Sequence, residues 1–215
     1  MGHLQDHNNS MKKVMLLLLI GLAMTSSTAF ATTVLVVGDS ISAAYGMHED
    51  DGWVQLAENQ LLEKEQQVEF VNASISGDTT EGALRRLPDA LELFEPDILV
   101  IELGGNDALR GYSLKKVREN LEALANMGKN AGADVLIMGM QIPTNYGAAY
   151  TKRFAQTFVD AAESTGSELI PFFLEPIALN IEYFQRDGIH PSVEAQPLLV
   201  EHAFTKLLPM LEALN

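Results

Sequence analysis

The segment TTVLVVGDSISAAYG, residues 32–46, combines the first apolar run of this chain with its first polar cluster. Its apolar run, Val34–Val37, is short and unbroken, which is typical of a strand buried on both faces of a parallel sheet. The run stops at Gly38-Asp39-Ser40, where a stretch of small residues begins. Ser40 is compatible with two roles at this position. It either caps a following helix or is a nucleophile held at the end of a buried strand.

Four more apolar runs of this kind follow, and helical patterns separate them. The runs are Val68–Val71, Ile98–Glu102, Val135–Met140 and Leu169–Phe172. Helical spacing of apolar residues occurs at Trp53–Leu61, Leu114–Ala125, Phe154–Ala162 and Ser192–Leu214. We expect Ser113 to be the N-cap of the second helix and Pro209 to interrupt the last one near its end. The alternation predicts a three-layer α/β/α fold with a parallel five-stranded sheet and right-handed crossovers.

The first 31 residues resemble a cleavable secretory signal peptide. Lys12 and Lys13 precede the apolar run Val14–Met24, and the sequence Ala29-Phe30-Ala31 matches a small-residue cleavage site. A buried helix or a membrane anchor is the alternative, but the run is shorter than the roughly 20 apolar residues that a span needs. Met11 is a second plausible start. We expect cleavage near Ala31, export to the periplasm or the medium, no stable membrane anchor, and one domain over residues 32–215.

Composition excludes several classes of function. Lys and Arg number 14 against 29 Asp and Glu, so the net charge of −15 argues against nucleic acid or an anionic membrane surface as a main partner. The chain has no cysteine, which excludes disulfides, thiolate catalysis and cysteine-ligated metals. Phosphate-binding, dinucleotide-binding and zinc-protease motifs do not occur. We therefore expect no cofactor and no metal, and a monomeric protein.

Polar clusters follow the predicted strands. Ser40 comes after the first run, Asn72–Gly77 after the second and Gly104–Asp107 after the third, while Asp187–Pro191 comes after the last. In open α/β sheets, sites form beyond the carboxyl ends of the strands. The sequence therefore predicts that all four clusters gather at one end of the sheet.

Histidine is scarce, which narrows the choice of a general base. After cleavage only His48, His190 and His202 remain. His190 lies in a loop marked by Gly and Pro, three residues after Asp187. That spacing lets the Asp187 carboxylate fix the tautomer of the imidazole and leave Nε2 facing Ser40. A solvated turn that only leads into the last helix is the structural alternative.

Acyl transfer also requires hydrogen-bond donors for a developing oxyanion. Three candidates are the backbone N–H of Ser40, placed at the start of a helix, the backbone N–H of Gly77, which has no Cβ, and the side-chain amide of Asn106. Each cluster taken alone is also compatible with a simple turn. We expect Asp39, although acidic and adjacent to Ser40, to bond loop backbone in a structural role.

Taken in order, these clusters resemble the four sequence blocks of the SGNH or GDSL hydrolases. The blocks are Gly38-Asp39-Ser40, Gly77, Gly104-Gly105-Asn106-Asp107 and Asp187-Gly188-Ile189-His190-Pro191. The resemblance extends over nearly all of residues 33–210. It implies a flavodoxin-like sheet, a Ser40–His190–Asp187 triad, an oxyanion hole from Ser40, Gly77 and Asn106, and a mobile loop at Ala108–Ser113 that covers acyl chains. Ala44 departs from the family pattern, which has glycine there.

The resemblance implies hydrolysis of carboxylic esters and thioesters, with acyl thioesters, simple esters and lysophospholipids as small-molecule substrates. Five residues are candidates for an apolar acyl groove, although local packing explains them equally well: Leu109, Tyr112, Ile142, Pro143 and Tyr146. Two alternatives stay open at this point. One is an acetylesterase of the same fold acting on short-chain or carbohydrate esters, and the other is a non-enzymatic lipid-binding flavodoxin-like module.

Overall fold

The computed structural model describes residues 31–64 and 66–214. The predicted signal peptide therefore lies outside the described residues, except for Ala31. Within the two described ranges, no helix combines the length and apolar character needed to cross a bilayer.

Five parallel strands form one sheet. They are β1 Thr32–Gly38, β2 Val68–Asn72, β3 Ile98–Glu102, β4 Asp134–Met138 and β5 Glu168–Ile170, and their spatial order is β2-β1-β3-β4-β5. This order is the flavodoxin-like arrangement of a doubly wound sheet. The central strands β1 and β3 are buried on both faces, as their unbroken apolar runs predict. The predicted fold class is confirmed.

Among the described residues, six α-helices cover the two faces of the sheet. They are α1 Trp53–Leu62, α2 Thr80–Phe94, α3 Gly105–Leu109, α4 Leu114–Asn130, α5 Ala148–Thr165 and α6 Gln196–Ala213. Helices α1 and α6 pack against each other on one face, and α2, α4 and α5 form the layer on the other. Short 3-10 turns at Glu49–Asp51, Thr144–Tyr146, Ile181–Tyr183 and Val193–Ala195 complete the connections.

Pro88 and Pro209 lie in the interior of helices, on exposed faces, and they account for two differences from the sequence analysis. Helix α2 contains Pro88 and was not among the predicted helices. The prediction that Pro209 interrupts the last helix is wrong, because α6 continues past it to Ala213. The exposed position lets water bond the carbonyl that each proline leaves unpaired, while buried apolar residues hold the opposite side of the helix.

Some local details also differ from the predictions. Strands β4 and β5 end at Met138 and Ile170, short of the predicted ends. Pro171 has no N–H to continue the ladder, and beyond it the two segments stay joined by bonds from Gly139 N to Ile170 O and from Phe173 N to Gly139 O. Ser113 is the N-cap of α4 as predicted, but its side chain makes no capping bond. Ser40 does not open a helix, because residues 40–46 form a series of turns.

The loops that carry the polar clusters meet where the strand order reverses. In this topology β1 and β3 are neighbours and their crossovers run to opposite faces, which leaves a crevice beyond their carboxyl ends. Ser40 follows β1 and Asn106 follows β3 on the two sides of that crevice. The turn after β3 depends on Gly104, whose φ of +112° is a conformation that residues with a Cβ rarely adopt.

Candidate active site

Ser40 and His190 lie within hydrogen-bond distance although they are far apart in the sequence. Ser40 Oγ is 2.9 Å from His190 Nε2, and both side chains are partly buried at the end of the sheet. The imidazole is therefore placed where an unprotonated Nε2 accepts the hydroxyl proton. This separation and the partial exposure suit a serine that reacts with an external molecule.

Asp187 holds both the backbone and the ring of the histidine loop. Its Oδ1 accepts hydrogen bonds from the backbone N–H groups of Ile189 and His190, at 2.9 and 3.0 Å. Its Oδ2 lies 2.7 Å from His190 Nδ1. The hydrogen bond with the His190 side chain, together with these backbone bonds, lowers the pKa of Asp187 to about 2. The carboxylate is thus charged at neutral pH and fixes a proton on Nδ1.

Two residues that the sequence analysis did not single out hold the histidine from the other side. The Tyr45 ring lies against the His190 ring with a centroid separation of 4.3 Å. Gln185 Nε2 donates to the carbonyl oxygens of Tyr45 and Pro191, at 2.7 and 3.0 Å, and Gln185 N donates to His190 O at 2.7 Å. Gln185 therefore joins the loop of the serine to the loop of the histidine. No local spacing reveals this, because Tyr45 and Gln185 are 140 positions apart.

Two of the three predicted oxyanion donors are backbone N–H groups. Within the part of the chain that the structure describes, the N–H groups of Ser40 and Gly77 have no hydrogen-bond acceptor. Gly77 adopts a φ of +80°, and Arg110 Nη2 donates to its carbonyl at 2.9 Å. A Cβ on Gly77 would meet only Arg110, at 3.7 Å, so its backbone angle explains this glycine better than lack of space.

The third donor, the Asn106 amide, lies at the start of α3. Its Nδ2 donates to Asp39 Oδ2 at 2.9 Å, which leaves the second N–H of the amide for another acceptor. The side chain of the neighbouring Asp107 bonds a different element of the fold. Its carboxylate accepts from Thr80 Oγ1 and Thr80 N, at 2.6 and 3.0 Å, and so holds the start of α2. Burial raises the pKa of Asp107.

Beneath the serine lies a buried polar network that the sequence did not reveal. Ser42 Oγ donates to Glu102 Oε2 at 2.8 Å and accepts from Trp53 Nε1 at 3.1 Å. Asn72 Nδ2 donates to Ser42 O at 2.8 Å. The network ties the turn after β1 to β3, α1 and β2. It fixes the chain two residues beyond Ser40.

The backbone conformation at Ala44 explains why the family pattern has glycine at this position. Its φ is +53°, in the left-handed region, and its side chain is buried. The methyl group packs against Gly52, where an added Cβ would lie 2.8 Å away. The turn therefore keeps a backbone conformation suited to glycine although alanine occupies it.

The candidate groove residues fall into two groups. Leu109, Tyr112 and Tyr146 each expose more than two fifths of their surface, and Pro143 is exposed, whereas Ile142 is packed in the core with only 6% exposed. The turn that contains Tyr146 leads into α5. There the hydroxyl of Tyr150 bonds the carbonyl of Ala108 at 3.3 Å, which links this part of the chain to α3. Their role in substrate binding stays a prediction.

No group of three or more potential metal ligands occurs among the residues that the structure describes. The arrangement of hydroxyl, imidazole and carboxylate with nearby N–H donors provides the parts that nucleophilic acyl transfer requires.

Comparison with known proteins identifies the family. The GDSL-like Lipase/Acylhydrolase family matches residues 36–197. Esterase TesA of Pseudomonas aeruginosa is 43% identical over 192 residues, covering 89% of this chain and 96% of its own. Thioesterase 1/protease 1/lysophospholipase L1 of Escherichia coli is 37% identical over 187 residues, covering 87% and 88%. A crystal structure of TesA superposes with a TM-score of 0.81 at 44% identity, covering 83% of this chain and 99% of its own. The chain is therefore a hydrolase that belongs to the GDSL-like lipase/acylhydrolase family.

Proposed function

We propose that this enzyme cleaves carboxylic esters and thioesters by two acyl-transfer steps on Ser40. The observation that carries the proposal is the hydrogen-bonded series from Asp187 through His190 to Ser40, with separations of 2.7 and 2.9 Å. Each member of this series has the partner that its role requires. A serine that merely capped a helix would need neither the imidazole nor the carboxylate.

In the first step, Ser40 Oγ attacks the carbonyl carbon while His190 Nε2 takes the hydroxyl proton. Asp187 stabilises the imidazolium that forms. The carbonyl oxygen becomes an oxyanion, which the N–H groups of Ser40 and Gly77 and the Asn106 amide bond. The intermediate then collapses, and His190 returns its proton to the departing alcohol or thiol. Water repeats the cycle on the acyl-enzyme, which frees the carboxylic acid and restores Ser40.

The substrate class follows from the relatives and from the exposed apolar residues. The relatives are named as an esterase, a thioesterase and a lysophospholipase, and these names supply the candidate leaving groups. Leu109, Tyr112 and Tyr146 offer exposed apolar surface on the segments that follow Asn106 and β4. A medium or long acyl chain gains from such surface in proportion to the area it buries, at roughly 0.8 kcal/mol per buried methylene. Acyl thioesters, simple esters and lysophospholipids are thus the proposed small-molecule substrates.

The proposal includes export. Residues 1–31 have the basic start, apolar segment and small-residue end of a signal peptide, and cleavage near Ala31 would release a single domain, residues 32–215, just before β1. We expect the mature protein to act as a monomer in the periplasm or the medium. Mass spectrometry of the protein recovered from an exporting host would give the new N-terminus.

Labelling with a fluorophosphonate tests the nucleophile. The reagent forms a stable phosphonyl ester with an activated serine, and peptide mapping is expected to place it on Ser40. Ser40→Ala should abolish labelling and lower turnover of a chromogenic ester by a factor of about 10⁴ or more. Ser76→Ala, which removes an exposed serine from the Gly77 loop, is the matched control and should label normally. Near-normal turnover by Ser40→Ala would overturn the assignment.

A series of p-nitrophenyl esters of increasing acyl length tests the groove. We expect kcat/KM to rise from acetyl to medium chains, and Tyr112→Ala and Leu109→Ala to reduce the rise while leaving acetate hydrolysis unchanged. A preference for acetyl over all longer chains would instead indicate the acetylesterase of the same fold. Stoichiometric lipid uptake without labelling of Ser40 would indicate a binding module.

A further inference from the structure

A pair of buried carboxyl groups lies beneath the site, and the mechanism above uses neither. Asp39 is 3% exposed and Glu102 is fully buried. Asp39 N donates to Glu102 O at 3.2 Å, so the two residues are neighbours across β1 and β3. Burying an ionisable side chain is costly unless it is paired or neutral, so the arrangement requires an explanation.

The hydrogen bonds distinguish the two groups. Asp39 accepts from two donors, with Ile41 N at 3.1 Å from Oδ1 and Asn106 Nδ2 at 2.9 Å from Oδ2. Glu102 accepts from Ser42 Oγ through Oε2, and its buried Oε1 has no partner among the described residues. An ionised carboxylate with a bare buried oxygen is much less stable than a protonated one. We assign the proton to Glu102 and the negative charge to Asp39.

Electrostatics agree with this assignment. Desolvation raises the pKa of Asp39 to about 6, against the effect of its hydrogen bonds and the nearby His190, while Asp107 acts in the same direction as burial. Burial and the charge of Asp39 raise the pKa of Glu102 well above its usual value. At neutral pH, Asp39 is therefore the charged member of the pair. The ionisable groups that face it are Glu102 on β3, Asp107 on α3 and His190.

An ionised Asp39 determines which way the Asn106 amide faces. An amide has a donor end and an acceptor end, and a carboxylate accepts hydrogen bonds but donates none. The bond from Nδ2 to Asp39 Oδ2 therefore excludes the flipped amide, which would direct its carbonyl oxygen at the carboxylate. With one N–H held by Asp39, the second N–H stays available for the oxyanion. A protonated or amide side chain at position 39 would allow both orientations.

We propose that Asp39 is a positioning residue for the oxyanion hole, holding the Asn106 amide so that its N–H faces the developing charge. The inference rests on the proposed function, because it assigns a task to a residue that contacts an oxyanion donor rather than the substrate. The sequence analysis expected Asp39 to bond loop backbone, and the bond from Ile41 N agrees with that expectation. The bond from the Asn106 side chain adds the second role proposed here.

A double-mutant cycle tests the proposal. Asn106→Ala is expected to lower kcat by about 10²–10³. Asp39→Asn should lower kcat roughly 10- to 100-fold with KM changed less than about 3-fold, because the lost interaction exists only in the transition state. In the Asn106→Ala background, Asp39→Asn should cost less than about 3-fold further, since there is no amide left to position. Equal losses in both backgrounds would overturn the proposal.

Two further variants keep the test decisive. If Asp39→Asn does not fold, Asp39→Ala must show the same lack of additivity with Asn106→Ala. Protonation of Asp39 at low pH should lower kcat, because the neutral acid no longer fixes the Asn106 amide. Glu102→Gln is the matched control, because a neutral amide resembles the protonated acid, and it should leave the pH of this fall in kcat unchanged. A fall at lower pH in Glu102→Gln would show that Glu102 carries charge and would overturn the assignment. Fluorophosphonate labelling of the native enzyme separates failure of this inference from failure of the proposed function. If the native enzyme is active and labelled on Ser40 but the two substitutions act additively, only the role of Asp39 is wrong.

Discussion

Two loops meet at the candidate active site. Each contributes an aspartate, and the surroundings of the two aspartates are opposite in character. The nucleophile loop, residues 39–46, holds Asp39 in a buried position where its pKa rises to about 6. The base loop, residues 185–191, holds Asp187 with its side chain 38% exposed, and there the pKa falls to about 2. The same side chain is thus destabilised as an anion in one loop and stabilised in the other.

The difference lies in what each carboxylate bonds. Asp187 pairs with a ring that becomes positively charged in the proposed reaction, and its side chain is partly exposed to solvent. Asp39 bonds two neutral donors and has a second carboxyl group, Glu102, close by. A charged partner lowers a carboxyl pKa, whereas desolvation and a neighbouring acid raise it. Asp187 is suited to stabilise charge, and Asp39 is suited to orient a neutral amide.

The largest expected effect is on turnover, where substitution of the two aspartates should lower kcat to different extents. Asp187→Asn should lower kcat by about 10⁴, because a neutral amide does not fix the proton on Nδ1 and has no charge to stabilise the imidazolium. Asp39→Asn, the chemically identical change in the nucleophile loop, should cost only roughly 10- to 100-fold. Initial rates on one chromogenic ester at pH 8 measure both. Losses of the same size would show that the two aspartates do not differ in task.

The next effect is on stability, and its sign differs between the loops. The pKa of Asp39 is higher in the folded protein than its usual 3.8. Its contribution to stability is therefore fully present below pH 3.8 and is lost as the pH rises through about 6. Compared with Asp39→Asn, the native protein should lose roughly 2–3 kcal/mol of unfolding free energy over this window. Urea unfolding of both proteins at several pH values measures the difference.

Asp187 should show the opposite trend. Its folded pKa is depressed, so its contribution is present above pH 3.8 and is lost as the pH falls through about 2. Relative to Asp187→Asn, the native protein should gain stability as the pH rises across this lower window. Difference curves that move in the same direction for both aspartates would contradict the assigned environments.

The sequence predicted the parts of this site that depend on local order. Unbroken apolar runs indicated buried parallel strands, and the topology then required Ser40 and Asn106 to face one crevice. The spacing of Asp187 and His190 indicated their bond, which a three-residue loop closes directly. The helix Thr80–Phe94 was missed because Gly82 and Pro88 weaken its pattern.

Contacts between distant residues were not predictable in this way. Gln185 bonds Tyr45 across 140 positions, and Ser42 bonds Glu102 across 60. Glu102 follows an apolar run, which predicts the end of a strand. Nothing in the sequence indicates that its side chain is fully buried. The charge state of Asp39 depends on that burial, so its task appears only when the packing is known.

The contact between the two loops gives a smaller effect. Gln185→Ala removes the bonds to the carbonyl oxygens of Tyr45 and Pro191, which should cost about 1–3 kcal/mol of stability. We expect kcat to fall by roughly 10-fold as His190 becomes less well aligned with Ser40. Gln156→Ala is the matched control, because Gln156 bonds only Asp160 on an exposed helix face. An unchanged kcat in Gln185→Ala would show that each loop holds its own position.

The smallest effect concerns the backbone of the nucleophile loop alone. A left-handed alanine is strained by about 1–2 kcal/mol relative to glycine, and Ala44 has a φ of +53°. Ala44→Gly relieves this strain but loses a buried methyl group and makes the unfolded chain more flexible. Ala43→Gly, one position earlier and without a positive φ, has the same entropic cost and relieves nothing.

Ala44→Gly should therefore be less destabilising than Ala43→Gly by about 1 kcal/mol, measured by urea unfolding at pH 7. Turnover should stay close to that of the native enzyme in both, since neither side chain takes part in the hydrogen bonds among Ser40, His190 and Asp187. If Ala44→Gly destabilises as much as Ala43→Gly, packing of the Ala44 methyl against Gly52 outweighs the backbone strain. In that case the rigidity of the nucleophile loop comes from side-chain contacts, as it does through Gln185 in the base loop.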